Sequence, residues 1–249
     1  MGKFVLKNVR PFANGADLTT RSNRFEINME AESKDTTAFA PSGDVWHEEL
    51  PGIKTVTVDG AGQWEAFDGS FPDDSSFANF GAVGPLTLAP AGAADGALAY
   101  LTAFNRQAYN FGGAIGDVAP WSGHWVGSWG LARGLILHTP TVRTATGTGA
   151  VQQLSTLPTP VAANQFLVGA LHVMSATGTT PSITGTIKSA ATVGFASPTT
   201  RLTFNAQTAV GGQVFRIAGP ITDQYFRFDF TISGTTPSLL VMSAVGISS

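Results

Sequence analysis

The sequence predicts an all-β protein with one short helix: a first β-sandwich or barrel domain followed by a second β-sandwich. Apolar and polar residues alternate strictly over 23–32, which is the period of a half-buried strand. The same alternation over 225–232 places Phe226, Phe228 and Phe230 on one face. Turn-forming Gly, Pro, Asn and Ser residues separate short apolar runs along most of the 249-residue chain.

The chain is organised around two strands in its first quarter. A short strand at 4–6 and an Asn-Gly turn come first, and the alternating segment 23–32 follows. A second strand covers 53–66, so about twenty residues, 33–52, form a loop between the two. Loops of that length in a compact domain are uncommon and are usually functional.

The one convincing helix signal lies at 70–81. Asp73 and Asp74 fall in its first turn, where the helix dipole favours negative charge. Phe77 and Phe80 share one face of that helix.

Strands follow at 86–88, 96–104 and 134–138. Between the last two, Trp121, Trp125 and Trp129 are spaced four apart, but the surrounding glycines favour a strand over a helix. Two interpretations of these tryptophans remain open. They pack in the core between sheets, or they form an exposed platform on which a sugar ring stacks.

The second half of the chain begins after a segment rich in Pro, Thr and Gly. We predict a domain over 1–138, a linker over 139–149 and a second domain over 150–249. The second domain contains Gly-Thr-Thr-Pro-Ser twice, at 178–182 and 234–238, each time between two apolar strands. Each copy is predicted to be a hairpin connection.

The composition points to a protein whose surface is covered by other copies of itself. Charged residues make up only 12% of the chain, against about 25% in ordinary soluble proteins, and the mean hydropathy is +0.12. No run is long enough for a membrane helix, no signal-peptide core follows Met1, and there are no cysteines. Acidic residues dominate the first half and basic residues the second. No basic stripe with interleaved aromatics indicates tight nucleic-acid binding.

Catalytic and metal-binding patterns are absent from the sequence. The acidic pairs Glu48-Glu49 and Asp73-Asp74 are adjacent in sequence, which does not make a catalytic pair. Neither a nucleophile elbow nor a dinucleotide fingerprint is complete. We predict a protein that is not an enzyme and has no cofactor and no metal site. The four widely spaced histidines are expected to be structural or surface residues: His47, His124, His138 and His172.

Four segments in a fixed order carry a family resemblance. They are GADLTTRSNRFEI at 15–27, DTT at 35–37, LPGIK at 50–54 and GQWE at 62–65. Together they resemble the tail tube (major tail) proteins of long-tailed, siphovirus-like bacteriophages, and the resemblance continues to about residue 137. It implies a tail-tube-type first domain, with residues 138–249 resembling the extra C-terminal β domain of many such proteins.

The resemblance implies a structural subunit of the virion, assembled in the host cytoplasm. Copies join edge to edge into rings, and the rings stack into a tube through which double-stranded DNA passes without specific binding. Other tail proteins are expected as partners at the tube ends, and no membrane binding is expected. The alternatives are another virion component, such as a capsid decoration or minor tail protein, and a sugar-binding adhesin.

The resemblance also assigns roles to residues of the central segment. The acidic face of the first strand is expected to line the channel, where it would repel phosphates and let DNA slide. The predicted lumen-facing residues are Glu26, Asn28, Glu30 and Glu32. The long loop is expected to contact the next ring through Asp35, Thr36, Phe39, Trp46 and Leu50.

Overall fold

The computed structural model describes residues 6–37, 47–67, 72–155 and 159–249. The strand predicted at 4–6 lies largely outside these residues. The strands are β1 (Arg10–Ala13), β2 (Ala16–Asp17), β3 (Ser22–Asp35), β4 (Glu49–Gln63), β5 (Val83–Ala89), β6 (Leu98–Phe111), β7 (Pro120–Gly127), β8 (Ala132–Arg143), β9 (Gly147–Thr148), β10 (Gln152–Gln153), β11 (Phe166–Ala190), β12 (Thr199–Thr203), β13 (Gly211–Ala218) and β14 (Tyr225–Ser248). A 3-10 helix covers Thr19–Arg21, and α1 covers Pro72–Ala78. With 65% of residues in strands and 4% in helices, the predicted all-β class is confirmed.

The strands form one hydrogen-bonded antiparallel sheet. Its main path runs in the order β12-β11-β14-β8-β6-β5-β1-β2, and β3 joins it through β4 and β7. The alternation at 225–232 has the predicted result, because Phe226, Phe228 and Phe230 are all buried. The intervening side chains are more polar, but they are not all exposed: Asp229 is buried and Arg227 is partly buried.

The repeated Gly-Thr-Thr-Pro-Ser segments are not hairpin connections, and that prediction is wrong. Each lies inside one long strand: residues 178–182 in β11 and 234–238 in β14, and the two copies pair with each other (Thr179 opposite Thr235). Gly178 and Gly234 have φ angles of +112° and +118°, and the ladder register shifts around them. The repeat therefore builds a pair of facing bulges, which bend a continuous ladder without reversing it.

The predicted linker 139–149 is partly regular structure. β8 continues to Arg143, and its last residues pair with Leu239–Val241 of β14. A core cluster also joins the two halves, with Phe12 and Leu101 packed together with Val168 and Met242. The division into domains 1–138 and 150–249 remains a prediction.

Helix α1 lies where the sequence predicts a helix, with Asp73 and Asp74 in its first turn. Its buried face consists of Pro72 and two serines, Ser75 and Ser76. Phe77, on the helix, and Phe80, beyond its last residue, are both exposed. The aromatic face of this segment therefore points away from the sheet and not into the core.

Candidate assembly surface

The central pair of strands extends beyond the body of the sheet as a two-stranded ribbon. Within the described ranges, β3 pairs only with β4, and β4 pairs with β7 only from Thr57 onward. Residues 29–35 of β3 and 49–55 of β4 are exposed, except for the partly buried Gly52. We call these two segments the arm. Three of its apolar side chains lie largely in solvent: Met29 is 65% exposed, Leu50 58% and Ile53 73%.

The loop predicted over 33–52 is shorter than expected. Residues 33–35 and 49–51 belong to the β3–β4 ladder, with Asp35 opposite Glu49 and Leu50 opposite Lys34. The amide of Thr36 donates to the carbonyl of Glu48 at 2.8 Å, which extends the ribbon by one more contact. The first strand continues past residue 32 although Ser33, Lys34 and Asp35 are all polar and exposed. Phe39 and Trp46 lie outside the described residues.

Hydrogen bonds order the far end of the described arm. The Asp35 carboxylate forms hydrogen bonds with the Thr37 hydroxyl and with the Thr37 backbone amide. These bonds, the one from the hydroxyl first, hold the pKa of Asp35 below its usual value. The Thr37 hydroxyl also accepts a hydrogen bond from the amide of Glu48 at 3.0 Å. These hydrogen bonds thus connect the two strands of the ribbon as far as Thr37 and Glu48.

The predicted lumen-facing residues share one strand, but their surroundings differ. Glu26, Glu30 and Glu32 are exposed, and Asn28 is partly buried. Glu26 accepts a charged hydrogen bond from Arg24 at 2.5 Å and stands opposite Asp59 of β4. Glu32 and Glu30 lie on the arm, where Lys34 pairs with Glu32.

The face that carries Glu26 continues across three strands. Asp59 stands opposite His124 of β7 as well as opposite Glu26, and its carboxylate lies 2.7 Å from His124 Nδ1. Acidic and polar side chains therefore form a band across β3, β4 and β7, which also contains Arg24 and His124. Cross-strand pairs of this kind are the contacts that fix a sheet face.

The three tryptophans do not form a sugar-stacking platform. Trp121 and Trp125 are buried, and their rings meet edge to face with centroids 6.4 Å apart. Trp121 Nε1 donates to the carbonyl of Arg21 at 2.9 Å. Trp129 is partly buried and carries the guanidinium of Arg216 over its ring at 4.6 Å. Core packing is the correct interpretation for Trp121 and Trp125, which removes the main reason for the adhesin alternative.

Two histidines are buried and uncharged at neutral pH. Gly15 N–H donates to His172 Nδ1 at 3.3 Å, so Nε2 carries the proton and donates to Thr87 Oγ1 at 3.0 Å. Burial lowers the pKa of His172 to about 3. Burial, and then the nearby charge of Arg143, lower the pKa of His138 to about 4. In the part of the chain that the structure describes, no group of His, Asp or Glu side chains could hold a metal ion.

The most unusual charged residue in the described chain, Arg106 on β6, is not marked by the sequence. Its side chain is only 4% exposed, although arginine is rarely buried without a carboxylate. A lone arginine in a period-two strand gives no signal of burial. The register shift between Arg106 and Ala108, where β6 holds one extra residue against β7, re-aims the side chain.

Comparison with protein-family models gave no match, and comparison with curated proteins gave no match either. Among solved structures, the chain is similar to a chain from the virion of a native gene transfer agent particle (18% identity, TM-score 0.42, 53% of this chain and 98% of that one). It is also similar to a chain from the tail of an empty gene transfer agent particle with C6 symmetry (19%, 0.39, 50% and 92%). A third similarity is to the Dit protein of phage SPP1, a hub of the adsorption apparatus (10%, 0.32, 97% and 99%).

No helix among the described residues is long and apolar enough to cross a membrane.

Proposed function

We propose that this chain is a structural subunit of a phage-type tail, which self-assembles into rings that stack into a tube for DNA ejection. The observation that carries the proposal is the arm, a two-stranded ribbon with apolar side chains in solvent. Other tail proteins would then bind at the tube ends, and the assembled protein would reside in the virion. The sequence resemblance at 15–65 covers the same segment.

The arm needs a partner for physical reasons. A two-stranded ribbon without a third strand or a packed face is at best marginally stable in water. Met29, Leu50 and Ile53 each expose apolar area that contributes to stability only when it is covered. Met29, opposite Val56, and Leu50, opposite Lys34, lie on different faces of the ribbon. A neighbouring copy, in the same ring or the next one, would cover this area.

The edge of β3 offers a second contact. Among the residues that the structure describes, β3 pairs with β4 on one side only, and a neighbouring copy could pair with the backbone groups of its other side. A head-to-tail contact between two different surfaces of one chain closes into a ring when the rotation is suitable. Obligate interfaces of this kind bury more than about 2,000 Å², which fits the low charge content of the chain.

The acidic face of β3 is the proposed channel lining. Glu26, Glu30 and Glu32 would repel passing phosphates, so the duplex would slide without being held. A cysteine introduced at Asn28 tests this orientation in assembled tubes. We expect it to be protected from a bulky maleimide that is added outside, whereas a cysteine at exposed Val193 reacts. Equal labelling of both positions would mean that this face is on the outside.

The assembly itself is tested by a double substitution in the arm. Leu50→Thr with Ile53→Thr keeps β propensity but removes the two exposed apolar side chains of β4, so the free subunit should keep its melting temperature. The wild-type protein is expected to form hollow tubes in negative-stain electron microscopy and large species in light scattering. The double variant should remain a small species, and Val193→Thr, a matched exposed position outside the arm, should assemble like the wild type.

Three outcomes contradict the proposal. A wild-type protein that stays monomeric at high concentration rules out self-assembly through the arm. Tubes of normal length from the double variant show that the arm does not carry the contact. Small closed oligomers instead of tubes would favour the second candidate, a capsid decoration or minor tail protein.

A further inference from the structure

A groove of about 420 Å³ lies beside the start of β3, at the end of the sheet opposite to the arm. Residues 6–9 and residues 22–25 of β3 line most of it. Ser22 pairs with Gly62, near the end of β4, whereas the arm contains the end of β3 and the start of β4. The length of β3 therefore separates the groove from the arm of the same copy.

Two cations and several apolar side chains line this groove. Lys7 and Arg24 are exposed, and Leu6 is 61% exposed. Arg24 donates to Glu26 at 2.5 Å, whereas Lys7 has no ion pair within the described part of the chain. No carboxylate is found among the described residues that line the groove. These features favour an acidic segment with an apolar side chain as the partner.

The groove and the arm each present a strand edge that can pair with a further strand. Within the described ranges, residues 22–25 pair with β4 alone, so the β3 side of the groove is an open edge. Residues 49–55 of β4 likewise pair with β3 alone, because β7 begins its contact at Thr57. Pro51 lies in this segment, and proline within sheets is confined mainly to edge strands.

We propose that the groove receives the arm of a second copy of this chain, with residues 49–55 of that copy added as a strand beside residues 22–25. The inference rests on the proposed function, in which the arm contacts a neighbour, and it names the surface that the arm contacts. In such strand addition, main-chain hydrogen bonds supply affinity and the side chains beside the added strand supply specificity. In two copies of the same orientation the pairing is antiparallel, because β3 and β4 run in opposite directions.

The charge and the apolar area of the arm complement those of the groove. The arm has four acidic side chains and two lysines, a net charge of −2 (2 − 4): Glu30, Glu32, Asp35 and Glu49 against Lys34 and Lys54. Leu50 of the arm, 58% exposed, would be covered by the apolar lining that includes Leu6. Because arm and groove lie at opposite ends of one copy, each copy delivers one arm and receives another. Contacts between two different surfaces of this kind repeat from copy to copy along a stack.

Cysteine cross-linking tests this contact directly, since the chain has no cysteine of its own. Asn23→Cys with Ile53→Cys places one thiol at the groove and one on the arm, and within a single copy the two are too far apart to be joined. A short bismaleimide added to assembled protein should therefore produce a ladder of covalent multimers on a denaturing gel. Asn23→Cys with Val193→Cys, which uses an exposed position outside the arm, should produce no ladder.

A charge exchange provides an independent test. Lys7→Glu and Glu49→Lys should each raise the concentration needed for assembly, measured by light scattering, by about threefold or more, because each places like charges in the contact. The two substitutions combined in one chain restore opposite charges and should return this concentration toward the wild-type value. Arg133→Glu, which changes an exposed residue of β8, is the control and should assemble like the wild type.

The outcomes distinguish this inference from the proposed function on which it rests. A wild-type protein that never associates contradicts both. If the wild type forms tubes but the groove and arm cysteines give no ladder, or give no more than the Val193→Cys control, only the arm–groove contact is wrong. If the double-cysteine variant does not fold, the charge exchange decides: normal assembly of both single variants, or no recovery in the combined variant, overturns the proposal.

Discussion

Acidification below pH 6.5 should destabilise this protein through its buried histidines. In the folded state, burial lowers the pKa of His172 to about 3, whereas the unfolded value is about 6.5. Between these two pKa values, the unfolded chain therefore binds a proton at His172 that the folded protein does not bind. Stability from this source is complete above pH 6.5 and falls as the pH decreases toward 3. His138, with a pKa of about 4, acts in the same direction.

The size of the effect follows from the two pKa values. Each histidine contributes about 1.4 kcal/mol per pH unit between its unfolded and folded pKa. Between pH 6.5 and pH 5.0 the loss is about 2 kcal/mol for His172 alone and about 4 kcal/mol for both histidines. The carboxylates whose pKa values are lowered, such as Asp223 and Asp229, stay ionised at pH 5 and add nothing in this range.

Urea denaturation followed by tryptophan fluorescence at pH 8.0, 6.5, 5.5 and 5.0 measures this slope. His172→Gln should be less stable at pH 8, because its bonds to Gly15 and Thr87 are disturbed, but it should lose only about half as much stability on going to pH 5. His47→Gln, which alters an exposed histidine, should keep the full slope. Equal stability of the wild type at pH 8 and pH 5, or an unchanged slope in His172→Gln, would refute the reasoning.

Two further substitutions test other parts of the fold by urea denaturation at pH 7. Gly178→Ala should cost at least about 2 kcal/mol of unfolding free energy, because φ is +112° there and the new Cβ would lie 2.5 Å from a backbone oxygen of β14. Gly194→Ala is the control: nothing lies within 4 Å of its new Cβ, so stability should change by less than about 0.5 kcal/mol. Asp229→Asn should cost about 2 kcal/mol, since the carboxylate pairs with Arg227 at 2.6 Å and Lys188 at 3.0 Å. A loss below about 0.5 kcal/mol in Gly178→Ala or in Asp229→Asn would contradict the expectation for that substitution.

The features that sequence analysis predicted are those set by local periodicity. Alternation at 23–32 and 225–232 predicts strands, and both segments lie in strands. The half-buried face expected at 23–32 is not found within this chain, because Phe25 and Ile27 are only partly buried and Met29 is exposed. The helix near Pro72 follows equally from its first turn. The position of the arm was also predictable, although its strands run three residues further at 33–35 and four further at 49–52 than the expected loop allowed.

The features that were missed depend on contacts distant in sequence. Gly-Thr-Thr-Pro-Ser is compatible with a hairpin and with a bulge, and only the pairing of β11 with β14 selects the bulge. The tryptophan spacing likewise does not reveal which face β7 buries. The burial of Arg106 depends on a one-residue register shift against another strand and on the α1 segment above it. None of these partners is marked in the sequence around the residue itself.

The place of β14 in the sheet has a consequence for biosynthesis. It is the last of the strands along the chain, yet it lies between β8 and β11, which have no ladder contact without it. Its pairing of Val245 with Leu135 spans more than one hundred residues, and contacts of such separation slow folding. A nascent chain on the ribosome cannot complete the middle of its sheet until this strand emerges. On the ribosome, β8 and β11 can therefore be joined through the sheet only after Tyr225–Ser248 has been translated.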